Sequence, residues 1–138
     1  MTIHSVSTVH NEKMAFTANI NGHTIRMDTT VDDDGENSGP SPKRLMLASF
    51  AGCNGIDIVS ILNKMKVVFS HFSMDIDANL TEKHPKIYDK IKITYKIKVD
   101  TIDQNKVKKA VSLSQDKYCG VGAMFKKFAA IEMAIVYI

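Results

Sequence analysis

From Pro42 to about Lys64 the sequence reads as one long helix, with Ser41 placed to cap it and Pro42 suited to its first turn. Its apolar residues are Leu45, Met46, Leu47, Ala48, Phe50, Ala51, Ile56, Ile58, Val59, Ile61 and Leu62, and they cover nearly the whole circumference. A helix apolar on every side has to be buried on every side. In a chain of only 138 residues one subunit offers little cover, so a second subunit is expected over part of it. Gly52 and Gly55 each weaken a helix by about 1 kcal/mol relative to Ala. Close approach of a neighbouring backbone or a ligand would be a reason to keep them.

The segments around this helix have the two-residue period of strands. Met14 to Ile20 and Thr24 to Val31 flank Asn21-Gly22, a strong hairpin signal, and an earlier strand near Ile3 to Val9 precedes them. Asp32 to Ser41 reads as a loop. After the helix, Phe72, Met74, Ile76, Ala78 and Leu80 alternate with polar residues, as do Ile91, Ile93, Tyr95, Ile97 and Val99. The lysines of the second run suit the acids of the first, as in antiparallel neighbours. The turn between them falls at His84-Pro85. Gln104 to Asp116 forms a second helix with a narrow apolar stripe, ended by Tyr118-Cys119-Gly120-Val121-Gly122. Phe128 to Ile138 reads as a closing strand buried on both faces. The order predicts an α+β fold and a single domain over residues 1–138.

Composition excludes several function classes. A net charge of +3 is spread along the chain, with Arg26 and Arg44 the only arginines and no Trp, so no nucleic-acid interface is expected. The uncharged run Leu45 to Ile56 is too short and too polar to predict a bilayer span. Nothing at the start resembles a signal peptide. Two cysteines make no disulfide framework, and the default compartment is the reducing cytoplasm.

The chemistry narrows to those cysteines. On helical spacing Ser49, Cys53, Asp57 and Ser60 share an arc of about 80°, so Cys53 lies on the only partly polar stripe of an apolar helix. Most buried cysteines are inert packing. A reactive one needs a nearby cation, because Asp57 one turn on opposes ionisation. Lys43, Arg44 and Arg26 are the candidates. Cys119 follows Tyr118 and lies 66 residues beyond Cys53, a spacing of neither a CxxC motif nor common zinc ligands. Tyr118 either lines a pocket or packs at the helix end. Five scattered histidines and the acidic run Asp32 to Glu36 suggest no metal. Met65, Met74, Met124 and Met133 are expected in the core.

Ser41-Pro42-Lys43-Arg44-Leu45-Met46-Leu47-Ala48-Ser49-Phe50-Ala51-Gly52-Cys53 resembles the first cysteine helix of the OsmC/Ohr family, the osmotically inducible and organic hydroperoxide resistance proteins. Ile56-Asp57-Ile58-Val59 resembles its OsmC-like branch of small redox proteins. Ala110 to Cys119 is similar to that family's second cysteine segment. The resemblance runs through the chain in order. It implies an OsmC-like fold, with antiparallel sheets around a long central helix, in an intertwined homodimer. It also implies thiol peroxidase chemistry: Cys53 attacks an organic hydroperoxide and becomes a sulfenic acid, which Cys119 resolves. No bound cofactor is implied, only an external dithiol reductant, lipoyl-type in well-known members. The family's peroxidases carry a Glu after the motif proline that holds an Arg over the sulfur. Here Lys43 takes that position and no Arg can be assigned to the partner role. The alternative expectation is a non-enzymatic homodimer that holds a small hydrophobic ligand in the cleft beside Cys53.

Overall fold

A computed structural model describes the whole chain, Met1 to Ile138. It forms two compact units, Met1–Ala48 and Ser49–Ile138, and the helix α1 (Pro42–Lys64) runs through the division.

The N-terminal unit carries an antiparallel sheet in the order β1-β2-β3, with β1 at Val6–His10, β2 at Phe16–Ile20 and β3 at His23–Met27. Asn21 and Gly22 both take positive φ, at 51° and 79°. That is the geometry a two-residue hairpin needs and the reason Asn-Gly predicts it. The loop after β3 is organised by Asp28, which is 3% exposed. Its carboxylate accepts hydrogen bonds from the Thr29, Glu36 and Ser38 amides and from the Ser38 hydroxyl. These donors, the Ser38 hydroxyl first, hold its pKa well below the usual carboxylate range.

The C-terminal unit contains the rest of α1 and a second sheet in the order β4-β5-β6, at Phe69–Leu80, Tyr88–Val99 and Ala130–Tyr137. Strands β4 and β5 pair antiparallel, setting Asp77 opposite Lys92 and placing Lys96 2.9 Å from Asp75. Strand β6 pairs parallel to β5, which corrects the expectation of antiparallel sheets throughout. The chain between them crosses back through α2 (Gln104–Leu113), a π-helical turn at Ser114–Tyr118 and α3 (Gly120–Phe125). A crossover of that length returns the next strand in the same direction. Nor is β6 buried on both faces: Met133 is 41% and Val136 42% exposed. Met124 too is exposed, in contrast to its expected place in the core.

The core of this unit consists of Ile58 and Leu62 from α1, Ile91, Ile93, Tyr95 and Ile97 from β5, and Val107, Ala110 and Val111 from α2. Phe50 stacks on Phe125 with ring centroids 5.1 Å apart, joining α1 to α3. Only one stripe of α1 is buried, at Phe50, Asn54, Gly55, Ile58 and Leu62. Ile56, on another face, is 73% exposed. By length and mean hydropathy alone α1 could cross a membrane, whereas the uncharged run Leu45 to Ile56 taken by itself is too short. One stripe of the helix is buried and another side is open.

Candidate functional site

The two cysteines, distant in sequence, meet in the C-terminal unit. Cys53 sits half-buried in α1 and Cys119 is 3% exposed between α2 and α3. The sulfurs of Cys53 and Cys119 and a carboxylate oxygen of Asp57 all lie within 4.8 Å of one another. Asp57 joins the group because i and i+4 share a helix face.

The segment before Cys119 is shaped to deliver it. The helix of α2 widens into the π turn, a feature that often marks functional positions. The chain then turns extended at Cys119, with φ −73° and ψ 101°. Cys119 acts as the N-cap of α3, its Sγ accepting the Gly122 amide at 3.2 Å, the role a serine hydroxyl usually fills. The glycines expected to end a helix therefore begin one. A Cβ on Gly122 would come 3.3 Å from Cys119 Sγ and 3.1 Å from Phe50, so a side chain there would crowd both by a few tenths of an ångström. Gly52, in contrast, meets nothing within 4 Å, and Gly55 lies against the end of the Met74 side chain.

Beneath the thiols runs a buried polar chain. Ser114 Oγ, fully buried, lies 3.1 Å from Asp57 Oδ2 as donor and accepts from Asn54 Nδ2 at 2.6 Å. The Tyr95 hydroxyl donates to Asn54 Oδ1 and accepts from Gln115 Nε2 at 2.9 Å. Burial pushes the Tyr95 phenol up to about 12, so it remains a donor throughout the physiological range. Lys126 caps the system by bonding the Gln115 carbonyl. Gln115 Oε1 is the one buried side-chain atom without a hydrogen-bond partner. Such a network fixes Asp57 and both cysteine segments relative to one another.

The Cys119 thiol is raised to about 11, first by burial, then by its hydrogen bond with Cys53 and by the negative charge Cys53 and Asp57 carry when ionised; the Gly122 amide acts the other way. Cys119 is therefore a protonated thiol at neutral pH.

Among the other candidate residues, Tyr118 is 53% exposed. With Asp57, Ser60, Ile61, Lys64, Met65 and Leu113 it lines a pocket of about 350 Å³, and Lys117 lies over its ring, 5.2 Å from the centroid. Lys43 and Arg44 are exposed in the first turn of α1. The nine residue steps of helix from Arg44 to Cys53 rise about 14 Å. Arg26 is engaged within the N-terminal unit, donating to Glu12 at 2.8 Å and Ser38 at 2.9 Å. The structure thus brings together Cys53, Cys119 and Asp57, with Tyr118 bordering the adjoining pocket. It also adds Asn54, Ser114, Gln115 and Tyr95, which the sequence reading does not single out. A polar Asn in the middle of an apolar helix was the available signal for the first of them.

This fold, with two thiols meeting where α1 passes α3, defines a small two-cysteine α+β protein. A model of OsmC-like proteins matches residues 33–134, and the chain belongs to that family. Protein YhfA of Escherichia coli K12 is 31% identical over 106 residues, covering 77% of this chain and 76% of that protein. The structure of a hypothetical protein from Aquifex aeolicus superposes with a TM-score of 0.87 at 28% identity, covering 100% of this chain and 98% of the other. A Legionella pneumophila protein described as an organic hydroperoxide resistance protein and predicted redox protein shares the fold, with a TM-score of 0.70, 13% identity and coverage of 99% and 98%.

Proposed function

We propose that this protein is a thiol-dependent redox protein that reduces organic hydroperoxides through Cys53 and Cys119. The observation that carries the reading is the meeting of two sulfurs 66 residues apart in sequence within 4.8 Å. Closing that gap to the roughly 2.05 Å of a disulfide takes a modest side-chain movement. The Legionella protein's description supports hydroperoxide as the substrate class.

In the proposed cycle the Cys53 thiolate attacks the distal peroxide oxygen. The O–O bond breaks, the alkoxide takes a proton and leaves as alcohol, and Cys53 becomes a sulfenic acid. The Cys119 sulfur then attacks Cys53, expelling water and forming the disulfide. An external dithiol, of the lipoyl type implied by the family, reduces it again. The two thiols divide these roles by exposure: Cys53 can be reached by substrate, and buried Cys119 is poised beneath it. No bound cofactor takes part. With this cycle goes a reducing compartment, the cytoplasm.

The same reading includes a homodimer. A groove of about 600 Å³ between α1 and β4 is lined by Gly52, Gly55, Ile56, Val59, Ser60, Asn63, Phe72 and Met74, and a second copy would cover it. A small hydrophobic ligand in the cleft beside Cys53 is the competing use.

Cumene hydroperoxide with a sulfenic-acid trap tests the chemistry. Cys119→Ser is expected to accumulate a trapped Cys53 sulfenic acid at one equivalent. Cys53→Ser is expected to consume no peroxide above the rate of a free thiol. Equal, slow oxidation of both variants would favour the ligand-binding use.

A further inference from the structure

The sequence spacing argues against a metal site, yet the fold gathers three potential donor groups from parts far apart in the chain. Two sulfurs and a carboxylate oxygen within 4.8 Å of one another form a mixed thiolate–carboxylate donor set. In a tetrahedral zinc site with Zn–S near 2.3 Å, sulfurs stand roughly 3.8 Å apart, so the two sulfurs need draw in by about 1 Å at most, and the carboxylate oxygen by little more, to share one ion. Thiolates select zinc and other soft ions over magnesium and calcium. Three protein ligands leave the fourth position open, as in catalytic rather than structural zinc sites.

The surroundings of these donors are those of a supported metal site. Ser114 hydrogen-bonds the Asp57 carboxylate and is itself held by Asn54, and Asn54 accepts from Tyr95. This is the outer layer that fixes a ligating carboxylate. The Gly122 amide donates to Cys119 Sγ, which stabilises a ligating thiolate. Two ligands come from one helix at i and i+4 and the third from the start of α3.

We propose that the reduced Cys53–Cys119 pair, together with Asp57, binds one Zn²⁺ per chain, and that metal binding and disulfide formation exclude each other. Binding exchanges two thiol protons for the ion. An organic hydroperoxide acting on the loaded site would form the S–S bond, with alcohol and water as products after two protons are taken up, and release Zn²⁺. The metal site does not rest on peroxidase activity, because it needs only the two thiols and the carboxylate.

The test uses the full reduced chain with Zn²⁺ alone for affinity, and Cd²⁺ alone for the ultraviolet charge-transfer band that reports thiolate ligands. The expected result is one equivalent bound through two thiolates, with both cysteines protected from alkylation until a chelator is added. Asp57→Asn is expected to weaken zinc binding at least about tenfold. Protein alkylated at both cysteines is expected to show no band and needs no variant to fold. A missing band, a band unchanged in Cys119→Ser, or binding retained after alkylation would overturn the site and assign any uptake to exposed histidines such as His71 and His84. Failure of the disulfide to form under peroxide would count against the redox function and leave these metal readings intact.

Discussion

Cys53 and Cys119 differ in access before they differ in chemistry. Cys53 is half-buried and Cys119 3% exposed, so a small alkylating reagent is expected to label Cys53 first at neutral pH. Peptide mass spectrometry at short times checks this, and equal labelling would contradict it. Because the Cys119 pKa is raised from near 9.0 to about 11, its protonated form is favoured by folding. The stability this contributes is present below pH 9 and lost as pH rises through 11. Chemical denaturation across that range should show an alkaline loss in the wild type that is smaller in Cys119→Ser. The shared face of Cys53 and Asp57 was legible in the sequence because helical spacing puts i and i+4 on one stripe. The depth of Cys119 was not, since it depends on a π turn and a short helix that a Gly-Val-Gly sequence does not signal.

At the level of elements, the site depends on how α1, β5, α2 and α3 are tied together. Asn54 bridges Tyr95 on β5 and Ser114 after α2, so Asn54→Ala takes one hydrogen bond from each of two buried hydroxyls, leaving the Tyr95 O–H without its acceptor and Ser114 Oγ without its donor. Each loss is expected to cost about 1–3 kcal/mol, read as a lower midpoint in urea; a change under about 0.5 kcal/mol, the range of ordinary surface substitutions, would contradict the network. Gly122→Ala presses a methyl onto Cys119 Sγ and Phe50. It is expected to slow disulfide formation, because Cys119 Sγ is one of the two groups the methyl meets; an unchanged rate would show that α3 has room to spare. In the N-terminal unit, Asp28 contributes stability above its unfolded pKa near 3.8, which is lost as pH falls through its lower folded value. Asp28→Asn should flatten that acid dependence. The elements themselves were largely readable: the Asn21-Gly22 hairpin, the long helix and the β4–β5 pair follow from period and turn chemistry. The parallel direction of β6 was not, because a strand's own pattern says nothing of how its crossover returns it.

The whole molecule leaves one side of its most apolar helix open. Ile56 is 73% exposed, and the inward face of β4, from Phe72 to Ala78, is only half-buried. A second subunit is the cover this reading predicts. Ile56→Asp is expected to shift the protein from dimer to monomer in analytical ultracentrifugation, and a wild type that sediments as a monomer would refute the dimer. The sequence pointed to such a partner because a helix apolar all round cannot be covered by so short a chain, but the faces it leaves bare depend on packing that only the fold reveals. The redox claim also spans the molecule, since it requires a bond between α1 and the start of α3. Its most direct measurement is non-reducing peptide mapping after one equivalent of cumene hydroperoxide is added to the reduced protein. The account predicts a Cys53–Cys119 disulfide as the main product, formed faster than oxidation of a free thiol. Two thiols that stay reduced, or that end as separate sulfinic acids, would contradict it.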